Sequence, residues 1–195
     1  MIYPSLIDGL AEKYGFLVSP GEDDVFDEEK GIVFEDGAWN NIAIDSVTIF
    51  SDGIVIDTRS STTDSEAIFN EALEWASTSY GLTYKPEMVS RKRCVSEVVI
   101  RSVAALSGLN RGLEIFSDQL SAALNNFANI DTKFELNSVG FHYDASELKI
   151  ATAPFKIERL ENVAYSDNKY YSVAPLPTEE HLRLLEEFEM ILTQS

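Results

Sequence analysis

One cysteine, Cys94, and two histidines, His142 and His181, are all that this 195-residue chain offers of the side chains most used for disulfides and transition-metal sites. A lone cysteine excludes an internal disulfide and any zinc site built on paired thiolates, and it points to a reducing compartment. No run of about 18 apolar residues occurs, so no membrane-spanning helix is expected. The opening MIYPSLIDGLAEKYGF has neither a basic n-region nor a long apolar h-region, so no signal peptide is expected there and the cytoplasm is the expected compartment. HExxH, GxSxG, CxxC and a Gly-rich phosphate loop are all missing, so neither cofactor nor metal is expected and the chain does not read as an enzyme. A Cys94–His142 pair has no spacing to support it. His142, between Phe141 and Tyr143, reads as a half-buried packing residue, and His181 falls in a helical first turn whose dipole disfavours its protonation.

Positive charge is equally scarce. Fifteen Lys and Arg stand against 33 Asp and Glu, a formal net charge of -18 that repels phosphate backbones and anionic lipid surfaces. Direct binding of nucleic acid or membrane is therefore disfavoured, and the partner that suits the charge is a protein with a basic surface. Self-association as a homodimer stays open. The negative charge is densest at Glu22, Asp23, Asp24, Val25, Phe26, Asp27, Glu28 and Glu29, where six acids surround two apolar residues. This segment lacks the alternating oxygen ligands, central glycine and terminal glutamate of a calcium loop. It reads as an exposed loop and as a candidate docking peptide for a basic, apolar groove. The scarce bases cluster too: Lys85, Arg91, Lys92, Arg93 and Arg101 lie within seventeen positions. Either they neutralise neighbouring carboxylates or Arg91, Arg93 and Arg101 form an anion patch.

Enough apolar residues remain for a core, at 45% hydrophobic and 11% aromatic. Leu6, Ile7, Leu10, Ala11 and Tyr14 share a helical face, with Ser5 a candidate N-cap and Gly15 a candidate left-handed stop. In TIFSDGIVIDT, Asp52-Gly53 predicts a two-residue type I′ hairpin that sets Phe50 opposite Val55, Ile49 opposite Ile56 and Thr48 opposite Asp57. On that reading Asp57 and Arg59 are solvated neighbours on one face. Phe34-Glu35-Asp36-Gly37 and Tyr165-Ser166-Asp167-Asn168 repeat the wording and predict two more turns. A capping box at Thr63-Asp64-Ser65-Glu66 begins a helix that Gly81 stops. A strand is expected over 91–101, and a helix over 110–127 that buries Leu113, Phe116, Leu120 and Leu124. Strands are expected over 133–143, 155–160 and 170–173, then a last helix from Pro177 with Leu182, Leu185, Phe188 and Leu192 inward.

The resulting class is α+β: antiparallel sheets of six to seven strands with three to four helices, read as two β-meander-plus-helix units over about 31–81 and 133–193. It forms one domain over 1–195, or two lobes over about 1–105 and 106–195. Leu6-Ile7-Asp8-Gly9-Leu10-Ala11 ahead of Gly15, followed by a meander from Gly31 to Thr58, looks like the acidic dimeric chaperones of type III secretion effectors. That resemblance covers about the first 100 residues and implies an antiparallel homodimer holding an unfolded effector segment in apolar grooves. The helix at 110–127 and the second meander depart from it. The leading expectation is a non-enzymatic interaction protein: an adaptor, inhibitor, immunity protein or assembly subunit. The alternatives are an enzyme of unfamiliar type, using carboxylates with the Arg91 to Arg101 patch, and a charged mimic of nucleic acid.

Overall fold

The computed structural model describes residues 4–21, 30–144, 146 and 152–194. In chain order it runs α1 (Pro4–Tyr14), β1 (Ile32–Trp39), β2 (Ile42–Ile49), β3 (Ile54–Thr58), α2 (Thr62–Tyr80), β4 (Ser96–Arg101), α3 (Arg111–Ala128), β5 (Ser138–Phe141), β6 (Phe155–Arg159), β7 (Lys169–Ala174) and α4 (Thr178–Gln194). Short 3₁₀ turns sit at Pro86–Met88, Leu106–Leu109 and Tyr165–Asp167. This is the expected α+β class, with two antiparallel sheets of three and four strands. The chain divides into two compact units, 1–92 and 93–195, and the division falls ahead of β4.

The first unit is a β1-β2-β3 meander with α1 and α2. Its first hairpin turns at Asn40-Asn41, whose φ values of 47° and 67° supply the two left-handed residues of a type I′ turn. Asp36-Gly37 is not a turn. It lies inside β1, where Asp36 takes φ 57° and drops out of the ladder opposite Asp45, so that pairing passes from Glu35 with Ser46 to Gly37 with Ile44. Each strand gains a residue there and its inward parity changes: Phe34 and Val47 face the core on one side of the irregularity, Ile44 on the other. Gly37 is needed for closeness, since the ring of Phe16 lies 2.5 Å from where its Cβ would stand.

The second hairpin turns where expected but in another register. Ile49 pairs with Ile54, Thr48 with Val55 and Ser46 with Asp57, and the Phe50 N–H donates to the Gly53 carbonyl at 2.8 Å. The loop is therefore four residues, 50–53, and Gly53 keeps a negative-φ conformation with open space around it. Asp57 is an exposed ladder residue that accepts from Ser46 Oγ at 2.9 Å, and Arg59 pairs with the bulge residue Asp45 at 2.8 Å instead of with Asp57.

Helix α2 starts one residue before the expected cap. Ser61 is the N-cap, its Oγ accepting from the Asp64 N–H at 3.2 Å, and Gly81 closes the helix at φ 66°. Helix α1 lies close against it at Gly9, whose missing Cβ makes room for Tyr80 and Trp75. Tyr14 donates to Glu71 and Lys13 pairs with the same carboxylate at 2.6 Å, a polar tie between the two helices. Burial, with the Glu71 carboxylate beside it, pushes the Tyr14 phenol far above its ordinary value.

In the second unit β4 adds to the far side of the β5-β6-β7 meander, giving the order β4-β7-β6-β5. Strand β4 is shorter than expected, because 91–95 has no ladder, and β5 covers only Ser138–Phe141 of the expected 133–143. Ser96, Val98 and Ile100 point inward, Val98 and Ile100 against the cluster of Leu106, Tyr170, Leu185 and Leu192. The inward stripe of α4 is His181, Leu185, Phe188 and Leu192, and Leu182 is exposed.

Candidate functional site

Helix α3 has its sides reversed. Asn110 caps it, accepting from the Gly112 N–H at 2.7 Å, and Asn129 ends it at φ 51°. The edge it buries is polar. Ser117 Oγ donates to the Phe134 carbonyl, and Ser121 Oγ accepts from the Phe134 N–H at 2.8 Å. The Asn125 amide exchanges hydrogen bonds of 2.9 Å with both backbone groups of Thr132. A strap at 132–134 is thus tied to the helix by serine and asparagine, and Ser121 is its buried residue. Burial of Leu113, Phe116 and Leu120 does not occur: they are 45%, 62% and 40% exposed, Phe127 is 92% exposed, and Leu124 alone of the expected four is half-buried. The polar edge takes the interior contacts because its hydrogen bonds satisfy the strap backbone, leaving the apolar stripe without a cover among the described residues.

The strap continues to Glu135, which pairs at 2.6 Å with Arg159 on β6. Arg159 is buried. Its guanidinium lies 4.2 Å from the Tyr165 ring centroid and 5.4 Å from that of Tyr170, and it donates to the Tyr165 carbonyl at 3.0 Å. Its Nε has no hydrogen-bond partner among the described residues. The arrangement anchors the strap, and through it α3, to the sheet.

A second polar cluster lies inside the unit. His181, fully buried, has Ser96 Oγ at 2.6 Å from Nδ1 and Ser172 Oγ at 2.8 Å from Nε2, with the Phe155 ring edge-on at 5.7 Å. Ser172 donates its hydroxyl to the Lys156 carbonyl at 2.9 Å, so toward His181 it accepts. That assigns the hydrogen to Nε2 and leaves Nδ1 to accept from Ser96. Burial pushes the imidazole below its ordinary value, with the Ser96 backbone partly opposing. The expected direction holds, but the leading cause is loss of water rather than the helix dipole. A serine beside a histidine is the beginning of a nucleophile. Here both hydroxyls and the ring are sealed from solvent, so the cluster joins β4, β7 and α4 and reaches no substrate. His181 continues the Leu185–Phe188–Leu192 stripe one turn back, and that periodicity is the signal in the sequence that marks it as a core residue.

The residues singled out from the sequence are not assembled by the described structure. Glu22, Asp23, Asp24, Val25, Phe26, Asp27, Glu28 and Glu29 lie outside the described residues. Arg91 and Lys92 belong to the first unit, where Lys92 pairs with Glu66; Arg93 and Arg101 belong to the second, where Arg101 Nε donates to the Asp167 carbonyl at 3.2 Å. Cys94 is half-buried in an irregular segment, and His142 is exposed beyond β5 rather than packed within a strand. Among the described residues no cluster of His, Cys, Asp and Glu could hold a metal ion. An open depression on the first unit, lined by Asn70, Glu74, Ser77, Thr78, Tyr84 and Pro86, brings one carboxylate and one phenol and no histidine, cysteine, lysine or second carboxylate. No described helix is long and apolar enough to cross a membrane. Comparison with protein-family models, with curated proteins and with solved structures finds no match for the chain.

Proposed function

We propose that the protein is a non-enzymatic protein-interaction module, of the adaptor, inhibitor or assembly-subunit kind, that contacts protein through the apolar face of α3. The observation that carries this reading is the reversal on that helix: Phe116 and Phe127 stand in solvent while Ser121 is buried. Contiguous exposed phenylalanine and leucine are costly in water, and such faces are characteristic of protein contact surfaces. The net charge of -18 supports a basic surface on a further partner, met through a long-range field that salt screens. The acidic run 22–29 is the densest source of that field.

The test is the size of the chain in an extract of its own cells, read by size exclusion with immunodetection. The expected result is elution ahead of a monomer, shifted to the monomer position by Phe116→Ser combined with Phe127→Ser. Identical elution with and without the substitutions would remove α3 as the contact surface.

A further inference from the structure

Resting on that reading, we infer that the occupant of the α3 face is a second copy of this chain, its own α3 laid antiparallel along the first. The exposed positions Leu113, Phe116, Leu120, Ala123 and Phe127 are spaced alternately three and four apart. That is the a/d seam of a coiled coil, narrower than the stripe of a helix that packs on a core.

What borders the seam separates a second copy from a basic partner helix. Ser117, Gln119, Leu124 and Asn126 flank it and carry no charge, while the three charges of α3, Arg111, Glu114 and Asp118, occupy the remaining positions. A basic helix would be matched by acidic flanks, as paired coiled coils match their charges. In a chain of net charge -18, neutral flanks fit a neighbour that is itself acidic.

Size complementarity sets the direction. Antiparallel pairing places Phe116 opposite the partner's Phe127 and Leu120 opposite the partner's Ala123, and the two-fold axis repeats each pair, as an isologous contact requires. Parallel pairing would stack Ala123 on its own copy and leave a void between the leucine and phenylalanine layers. The exposed side chains of the seam amount to roughly 500 Å² per copy, so about 1,000 Å² in the pair, the lower bound for a specific interface.

Sedimentation of the purified full chain tests this. At micromolar concentration the species should have about twice the monomer mass of 21.7 kDa. Phe116→Ser with Phe127→Ser, and separately Leu120→Glu, should each return it to monomer with an unchanged far-ultraviolet circular dichroism spectrum and a melting temperature that no longer rises with protein concentration. Ile115→Ser, on the opposite face of the helix, should leave the dimer intact. Added salt should tighten the dimer, because it screens two bodies of like charge. A purified chain that stays monomeric, beside a seam-dependent larger species in the cell extract, would overturn the second copy and spare the protein-interaction reading. A monomeric chain whose behaviour in the extract ignores the seam would overturn both.

Discussion

At Gly37 a methyl group would meet the Phe16 ring, which is itself held between Tyr14 and Phe34 with centroids 5.8 and 5.3 Å away. The ring has nowhere to retreat, so Gly37→Ala should cost about 1 to 3 kcal/mol in chemical denaturation. Gly53 has open space and negative φ, so Gly53→Val should stay within about 0.5 kcal/mol. His181 gives a pH dependence with a definite sign. Its folded-state value is depressed below the ordinary 6.5, so below pH 6.5 the unfolded chain takes up a proton that the folded chain refuses. The stability due to neutral His181 is therefore complete above that pH and is lost as the pH falls toward the depressed value, at no more than about 1.4 kcal/mol per pH unit. The side chains in contact with its ring, Ser96, Ser172 and Phe155, carry no charge that would offset this. Urea midpoints of wild type and His181→Gln should converge on acidification from pH 7.5 to 5.5; parallel curves would remove the buried neutral imidazole.

Among the elements, α3 and the 3₁₀ turn at Leu106–Leu109 carry leucines with opposite fates. Leu106 is 1% exposed beside Tyr170, Leu185 and Leu192, so Leu106→Ala should cost about 2 to 5 kcal/mol. Leu120→Ala should cost under about 1 kcal/mol to the folding of a single chain, because its side chain is already partly in water. Denaturation below the concentration of any self-association compares the two. Legibility follows the same division. Local pattern carried the order of all eleven elements, because Gly81 and the periods of 2 and 3.6 act over a few residues. The exposure of α3 was hidden because periodicity says that a helix has an apolar side and nothing about what covers it. Asp36-Gly37 misled because a left-handed aspartate before a glycine is common to hairpin tips and to strand irregularities. The His181 cluster escaped because Ser96 is 85 residues away in the chain.

In the proposed role, charge and apolar contact would divide the work across the whole molecule: the field of a net charge of -18 reaches over a Debye length, about 8 Å at physiological salt, and would govern encounter, while the face of α3 would act only at contact. Neutralising Asp23, Asp24, Glu28 and Glu29 together should leave the thermal midpoint unchanged and slow association with a basic partner, with the largest effect at low salt. An on-rate indifferent to both would take residues 22–29 out of the encounter.

The sharpest test of α3 as a protein contact is a photo-reactive side chain placed at Phe127 in the living source cell, with the exposed Ala122 on the other side of the helix as control. A protein adduct is expected from position 127 and none from 122. Equal labelling at both positions, or none at either, would contradict it.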